Sequence, residues 1–164
     1  MSLGRILNRQ DLVRAVQQER SAGRRIALAN GIFDLLHVGH IRYLNAAKQE
    51  ADILVVAVNS DASAQSLKGP GRPLTPAGER CEILAALQCV DYVTVFEEPT
   101  AQALIHALAP DVHCKGTDYT TGTVPEREAV QQIGGRVAIV GDAKEHATRD
   151  LIRIILDRFR SSAG

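Results

Sequence analysis

The stretch Asn30-Gly31-Ile32-Phe33-Asp34-Leu35-Leu36-His37-Val38-Gly39-His40 decides how the rest of the chain is read. A short apolar run, Arg25–Ala29, leads into it, and an amphipathic pattern over Val38–Gln49 follows, so it reads as a strand-to-helix junction. In open parallel sheets, ligands collect at the carboxyl ends of strands, beside helix N-termini. Gly31 lets backbone approach a phosphate there, and Gly39 keeps the helix entrance uncrowded. His37 and His40 stand three apart, so both rings project from one face of the first turn. Two imidazoles aimed at one point donate hydrogen bonds to a phosphoryl oxygen and stabilise the charge that builds as its phosphorus is attacked. Two other readings stay open at this level. One ring caps the helix while the other packs, or the pair is part of a metal site. Asp34, in the turn itself, either caps it or faces a substrate.

Outward from the junction, strand-like runs alternate with helical patterns. Arg25–Ala29, Ile53–Val58, Tyr92–Phe96, Val112–Lys115 and Arg136–Val140 read as five strands. Ile53–Val58 is apolar throughout, as in a strand covered on both faces. Helices are expected over Asp11–Ala22, Val38–Gln49, Pro76–Leu87, Thr100–Leu108, Pro125–Ile133 and Thr148–Phe159. Asn8, three before Asp11, reads as an N-cap; Gly23 closes the first helix, and Thr75 caps the helix entered at Pro76. Lys68–Pro73 (KGPGRP) is a loop. Strand and helix in alternation predict an α/β fold, a doubly wound parallel five-stranded sheet with flanking helices. One domain over residues 1–164 is expected, with an N-terminal helix at about 8–22 and a core at about 25–160.

Composition narrows the partners. The 164 residues carry 19 Lys+Arg against 19 Asp+Glu, which argues against a protein that coats nucleic acid or an anionic membrane. Hydrophobic residues make up 45%, enough for a core, yet no apolar run is long enough to span a bilayer and no signal-peptide core opens the chain. Cys81, Cys89 and Cys114 lack metal-ligand spacing, so reduced thiols in a cytoplasmic protein are expected. Homodimerisation is expected only as the commonest assembly.

The string from Gly31 to His40 resembles the G-x-F-D-x-x-H-x-G-H motif of the cytidylyltransferase-like nucleotidyltransferases. The resemblance implies a Rossmann-like fold and transfer of a nucleotidyl group from a nucleoside triphosphate to a phosphate monoester. Mg²⁺ would arrive with the nucleotide rather than at a protein-built metal site, and pyrophosphate would leave. It further implies that Gly31 and the amides of Ile32 and Phe33 cradle the triphosphate, and that His37 and His40 touch the reacting phosphates. Later strings, Val58-Asn59-Ser60-Asp61, Leu67-Lys68-Gly69, Arg72-Pro73-Leu74, Glu79-Arg80 and Lys115-Gly116-Thr117-Asp118-Tyr119, are most similar to the adenylyltransferase domains of ADP-heptose synthases. That subgroup implies ATP and D-glycero-β-D-manno-heptose 1-phosphate as substrates, in lipopolysaccharide core synthesis.

These strings name further candidates. Lys68 would close over the triphosphate, unless it is a solvated loop lysine. Arg80 would fork onto a substrate phosphate, or else pair with Glu79 or Glu82. Lys115 would meet phosphate, and Asp118 would hold ribose, base or Mg²⁺, or only shape a turn. Thr148 would cap the last helix and touch phosphate; Ala147 and Arg149 flank it where the family carries hydroxyls. A cytidylyltransferase acting on glycerol 3-phosphate or ethanolamine phosphate, and a non-catalytic nucleotide-binding regulator, are the alternatives.

Overall fold

The run Ile53–Asn59 is buried at all seven positions, because strands flank both its edges and helices cover both its faces. The computed structural model describes residues 3–143 and 146–160. Its strands are β1 (Arg5–Ile6), β2 (Ile26–Gly31), β3 (Ile53–Asn59), β4 (Tyr92–Phe96), β5 (Val112–Lys115) and β6 (Arg136–Ile139). The helices are α1 (Arg9–Ser21), α2 (Val38–Gln49), α3 (Asp61–Lys68), α4 (Ala77–Ala85), α5 (Gln102–Leu108), α6 (Arg127–Gln132) and α7 (Thr148–Phe159). All strand pairs are parallel, in the order β1-β4-β3-β2-β5-β6.

Alternation along β2 divides the core in two. Ala27 and Ala29 face Leu44 and Ala47 of α2 and Cys81 and Leu84 of α4. Ile26 and Leu28 face the other layer, with Leu12 and Val16 of α1 and Leu104, Ile105 and Leu108 of α5. From β2 the chain winds to β3 and β4 on one side, then crosses through α5 to β5 and β6 on the other. The order therefore reverses between β2 and β5, and a crevice opens at their carboxyl ends, where doubly wound sheets hold ligands.

The sheet has six strands, not the five expected. Two residues are too few for alternation to register, and Arg5–Ile6 are both exposed. Backbone pairing alone defines β1: the Arg5 amide donates to Asp91 and the Leu7 amide to Val93, each at 2.9 Å. Gly4 belongs to this contact, since a Cβ there would stand 2.8 Å from the Val90 carbonyl oxygen. The helix α3 was likewise not expected; Ser60 caps it, accepting from the Ser63 amide at 3.2 Å. Lys68 is thus the last residue of a helix rather than part of a loop. At α4 the cap is Pro76 itself, and Thr75 makes no capping bond. Asn8 does cap α1, accepting from the Asp11 amide at 2.9 Å, and Gly23 follows at φ 79°.

Candidate active site

Between β2 and α2 the backbone turns sharply, with Phe33 at φ 52° and Leu35 at φ 50°. Left-handed non-glycine residues are costly and persist where the surroundings over-determine them. Here the turn buries the Phe33 ring, 5.6 Å from the His40 ring and 6.5 Å from that of Tyr43. His37 is the N-cap of α2, and its Nδ1 accepts from the Gly39 amide at 3.2 Å. His40 reaches back, its Nδ1 accepting from the His37 amide at 3.4 Å. The two imidazoles form a capping box, a role usually filled by a hydroxyl and a carboxylate. Since both Nδ1 atoms are acceptors, the proton of each neutral ring sits on Nε2. Two Nε2–H donors, on rings 4.0 Å apart, are therefore fixed by the helix's own first turn. Gly39 leaves room for this: a Cβ there would stand 3.0 Å from the His37 ring, which would have to shift. A third imidazole, His146, lies 6.4 Å from His37 between ring centroids.

Asp34 does not cap this turn. Its carboxylate is buried and accepts from the Arg72 guanidinium at 2.9 Å, the Leu74 amide at 2.8 Å and the Thr75 amide at 3.1 Å. Burial raises its pKa, but these hydrogen bonds and the Arg72 charge outweigh that and hold the carboxyl below its ordinary range. The Asp34 carbonyl accepts from the Thr148 hydroxyl at 2.7 Å. Asp34 thereby ties the junction to the 69–76 loop and to the start of α7. Thr148 is a tether rather than a cap, Ala147 holding the N-cap position without a side-chain bond.

Arg80 is 1% exposed. Its guanidinium donates to the Thr75 and Asn59 carbonyls at 2.9 Å each, to the Ile32 carbonyl, and to Asp61 at 2.8 Å. This places Arg80 behind the β2 and β3 carboxyl ends, where it fixes backbone; its ion pair, the alternative to a phosphate contact, is made with Asp61 and not with Glu79 or Glu82. Lys68, by contrast, is exposed at the end of α3.

Across the crevice, Lys115 ends β5 and is buried. Its ammonium lies 3.6 Å from Glu126, 3.5 Å from the Asn30 side-chain oxygen and 4.7 Å from the Tyr119 ring centroid. Asp118 is exposed in the turn after β5. Sequence reading gave no role in this region to Asn30, Arg72, His113, Glu126 or His146. The available signal was polarity inside apolar strands: Asn30 closes IALAN, and His113 interrupts VHCK. Among the described residues, no three of His, Cys, Asp and Glu gather as metal ligands would.

Comparison with known proteins agrees with the fold. A family model described as Cytidylyltransferase-like matches residues 28–159. The chain is 47% identical over 151 residues to "Bifunctional protein HldE" of Syntrophotalea carbinolica, covering 92% of this chain and 31% of that protein. Against the protein of the same name from Pelobacter propionicus, identity is 46% over 155 residues, 94% of this chain and 32% of that one. The chain thus spans about a third of the length of the curated relatives it matches. The crystal structure of the lipopolysaccharide core biosynthesis protein from Thermoplasma volcanium GSS1 superposes with a TM-score of 0.64 at 26% identity, over 74% of this chain and 100% of that one.

Proposed function

The chain belongs to the cytidylyltransferase-like family, and from that premise we propose that it transfers AMP from ATP to a sugar 1-phosphate, with D-glycero-β-D-manno-heptose 1-phosphate as acceptor. The observation that carries this reading is the capping-box pair His37–His40, whose Nε2–H groups are set by backbone at the carboxyl end of β2. The later strings shared with ADP-heptose synthases, together with the likeness to a lipopolysaccharide core biosynthesis protein, support the nucleotide and the sugar acceptor.

An oxygen of the acceptor phosphate attacks the α-phosphorus of ATP in line. The bond from that phosphorus to the bridging oxygen breaks, and pyrophosphate leaves with the electron pair. No general base is needed, because the attacking phosphate oxygen is already anionic. His37 and His40 donate to phosphoryl oxygens and stabilise the charge that spreads onto them. Gly31 and the amides of Ile32 and Phe33 line the same end of β2 as the cradle of the triphosphate. Lys68, on the exposed end of α3, closes over the leaving pyrophosphate. Lys115 and Asp118 flank the nucleoside side of the crevice. Asp34 and Arg80 act through position, holding the loop and backbone around the substrate. Donors of the imidazole Nε2–H kind suit phosphate oxygens rather than a cation, so Mg²⁺ fits as the counterion of ATP, with Asp118 as the carboxylate that would meet it. An ion held there would supply neutralisation of phosphate charge. Reduced Cys81, Cys89 and Cys114 fit an ATP-rich cytoplasm. A homodimer is the assembly we propose, supported by the apolar residues Leu151, Ile155 and Phe159 that α7 exposes.

The test is pyrophosphate release on incubation with ATP or CTP and each acceptor. Release with ATP and heptose 1-phosphate is expected, and release with CTP alone contradicts the adenylyl assignment.

A further inference from the structure

Behind the crevice, on the layer of the sheet opposite α2, four polar residues meet: Asn30 of β2, His113 and Lys115 of β5, and Glu126 at the start of α6. His113 is fully buried, and its Nε2 lies 2.8 Å from Asn30 Oδ1. Lys115 reaches the same oxygen at 3.5 Å. A lysine only donates, so the Asn30 atom that faces it is the carbonyl oxygen, and the amide group points the other way. Burial, with Lys115 adding to it and Glu126 opposing, pushes the His113 pKa down to about 4, so the ring is neutral near pH 7. A neutral ring that donates through Nε2 keeps a lone pair on Nδ1, and that buried atom has no partner among the described residues. Two donors thus converge on one side of the Asn30 amide and lock it.

The other side is open. Among the described residues, Asn30 Nδ2 has no protein partner, and it is not sealed from solvent. It stands one residue before Gly31, at the mouth of the crevice between β2 and β5. A buried His–Asn contact with a sacrificed Nδ1 is a poor way to stabilise a strand, since an apolar pair there would leave nothing unsatisfied. The arrangement makes sense if the orientation of the amide is what matters.

We propose that Asn30 is a nucleotide-contacting residue, its Nδ2–H aimed by His113 and Lys115 at an oxygen of bound ATP. His113 is then a positioning residue, acting only through Asn30. This inference rests on the nucleotidyltransferase reading and adds the residue that meets the nucleotide from the β5 side, opposite the histidines.

The experiment is calorimetric titration of the whole chain with Mg·ATP, accompanied by melting temperature and steady-state kinetics. The wild type reads the nucleotidyltransferase proposal: absence of ATP binding overturns that proposal and this inference together. Asn30→Asp keeps an oxygen for His113 and Lys115 and replaces only the outward amide. It is expected to raise the Kd at least tenfold without lowering the melting temperature. Asn30→Ala removes the donor without adding charge and is expected to raise the Kd by about threefold to tenfold, the worth of one hydrogen bond. His113→Leu is expected to weaken ATP in the same direction, and His113→Gln, which restores a donor, to recover most of the loss. Wild-type ATP affinity in Asn30→Ala overturns the inference. So does a defect in the KM for the sugar phosphate alone, which would put the donor on the acceptor.

Discussion

The Nδ1 atoms of His37 and His40 are committed to the first turn of α2, and this is why their Nε2–H groups point away from it. The two functions of each ring are separable by substitution. Asparagine places its side-chain oxygen near the position of Nδ1 but has nothing at Nε2, so His37→Asn keeps the cap and removes the outward donor. Its melting temperature is expected to stay near wild type while turnover falls at least about a hundredfold, as when a preorganised donor is removed. His37→Ala is expected to lose the same activity and about 1 kcal/mol of stability besides. Steady-state kinetics beside urea unfolding separates these outcomes; near-normal turnover in His37→Asn contradicts the role. Gly39→Ala, which presses a Cβ within 3.0 Å of the His37 ring, is expected to cost about tenfold to a hundredfold in kcat/KM through misplacement of that ring.

At the same scale, His113 makes stability depend on pH. The ring protonates near 6.5 in an unfolded chain but near 4 in the fold, chiefly through burial. Between those values the unfolded chain holds the extra proton, so stability rises with pH and is lost as the solution is acidified through this window. The loss amounts to at most about 3 kcal/mol, shared with Glu126 and Lys115, which face the ring. His113→Gln is expected to flatten the change in urea midpoint between pH 7 and pH 5. Asp34 adds an acid sensitivity of its own, its contribution being lost as pH falls from the ordinary carboxylate value through its depressed one.

Among elements, the junction behaves as a hub. Asp34 holds the 69–76 loop by its carboxylate and α7 by its carbonyl, so pieces distant in sequence share one residue. Thr148→Val removes the tether to α7 with little change of shape. It is expected to cost about 1 kcal/mol in thermal or urea unfolding and to raise the KM for ATP. A KM equal to wild type with lowered stability would leave Thr148 a structural tether only. Elements were legible in proportion to the length of their patterns. The strands β3, β4 and β5 and the helices α2 and α7 carry unbroken apolar or amphipathic runs and were placed within a residue or two. The strand β1 has only two exposed residues and exists by its backbone bonds to β4, which no side-chain pattern reports. The helix α3 (DASAQSLK) carries small residues on its buried side, Ser63 and Ala64, so its amphipathic signal is faint. Within the site, the histidine pair was legible because both members lie on one helical turn. Asn30, His113 and Glu126 were not, because their meeting is made by the crossover that sets β5 beside β2.

For the whole molecule, that crossover is the feature that turns a sheet into a site. It sets the α2 histidines and the Asn30–His113–Lys115 group on opposite layers of one crevice, with ATP expected to bridge them. Matching about a third of its curated relatives, the chain carries this crevice within residues 28–159. The most direct measurement is pyrophosphate release by the wild type and by His37→Asn, with ATP or CTP in turn and D-glycero-β-D-manno-heptose 1-phosphate as acceptor. Release from ATP by the wild type, lost in the folded His37→Asn variant, is the predicted result. Release from CTP alone, or equal release by both proteins, would contradict it.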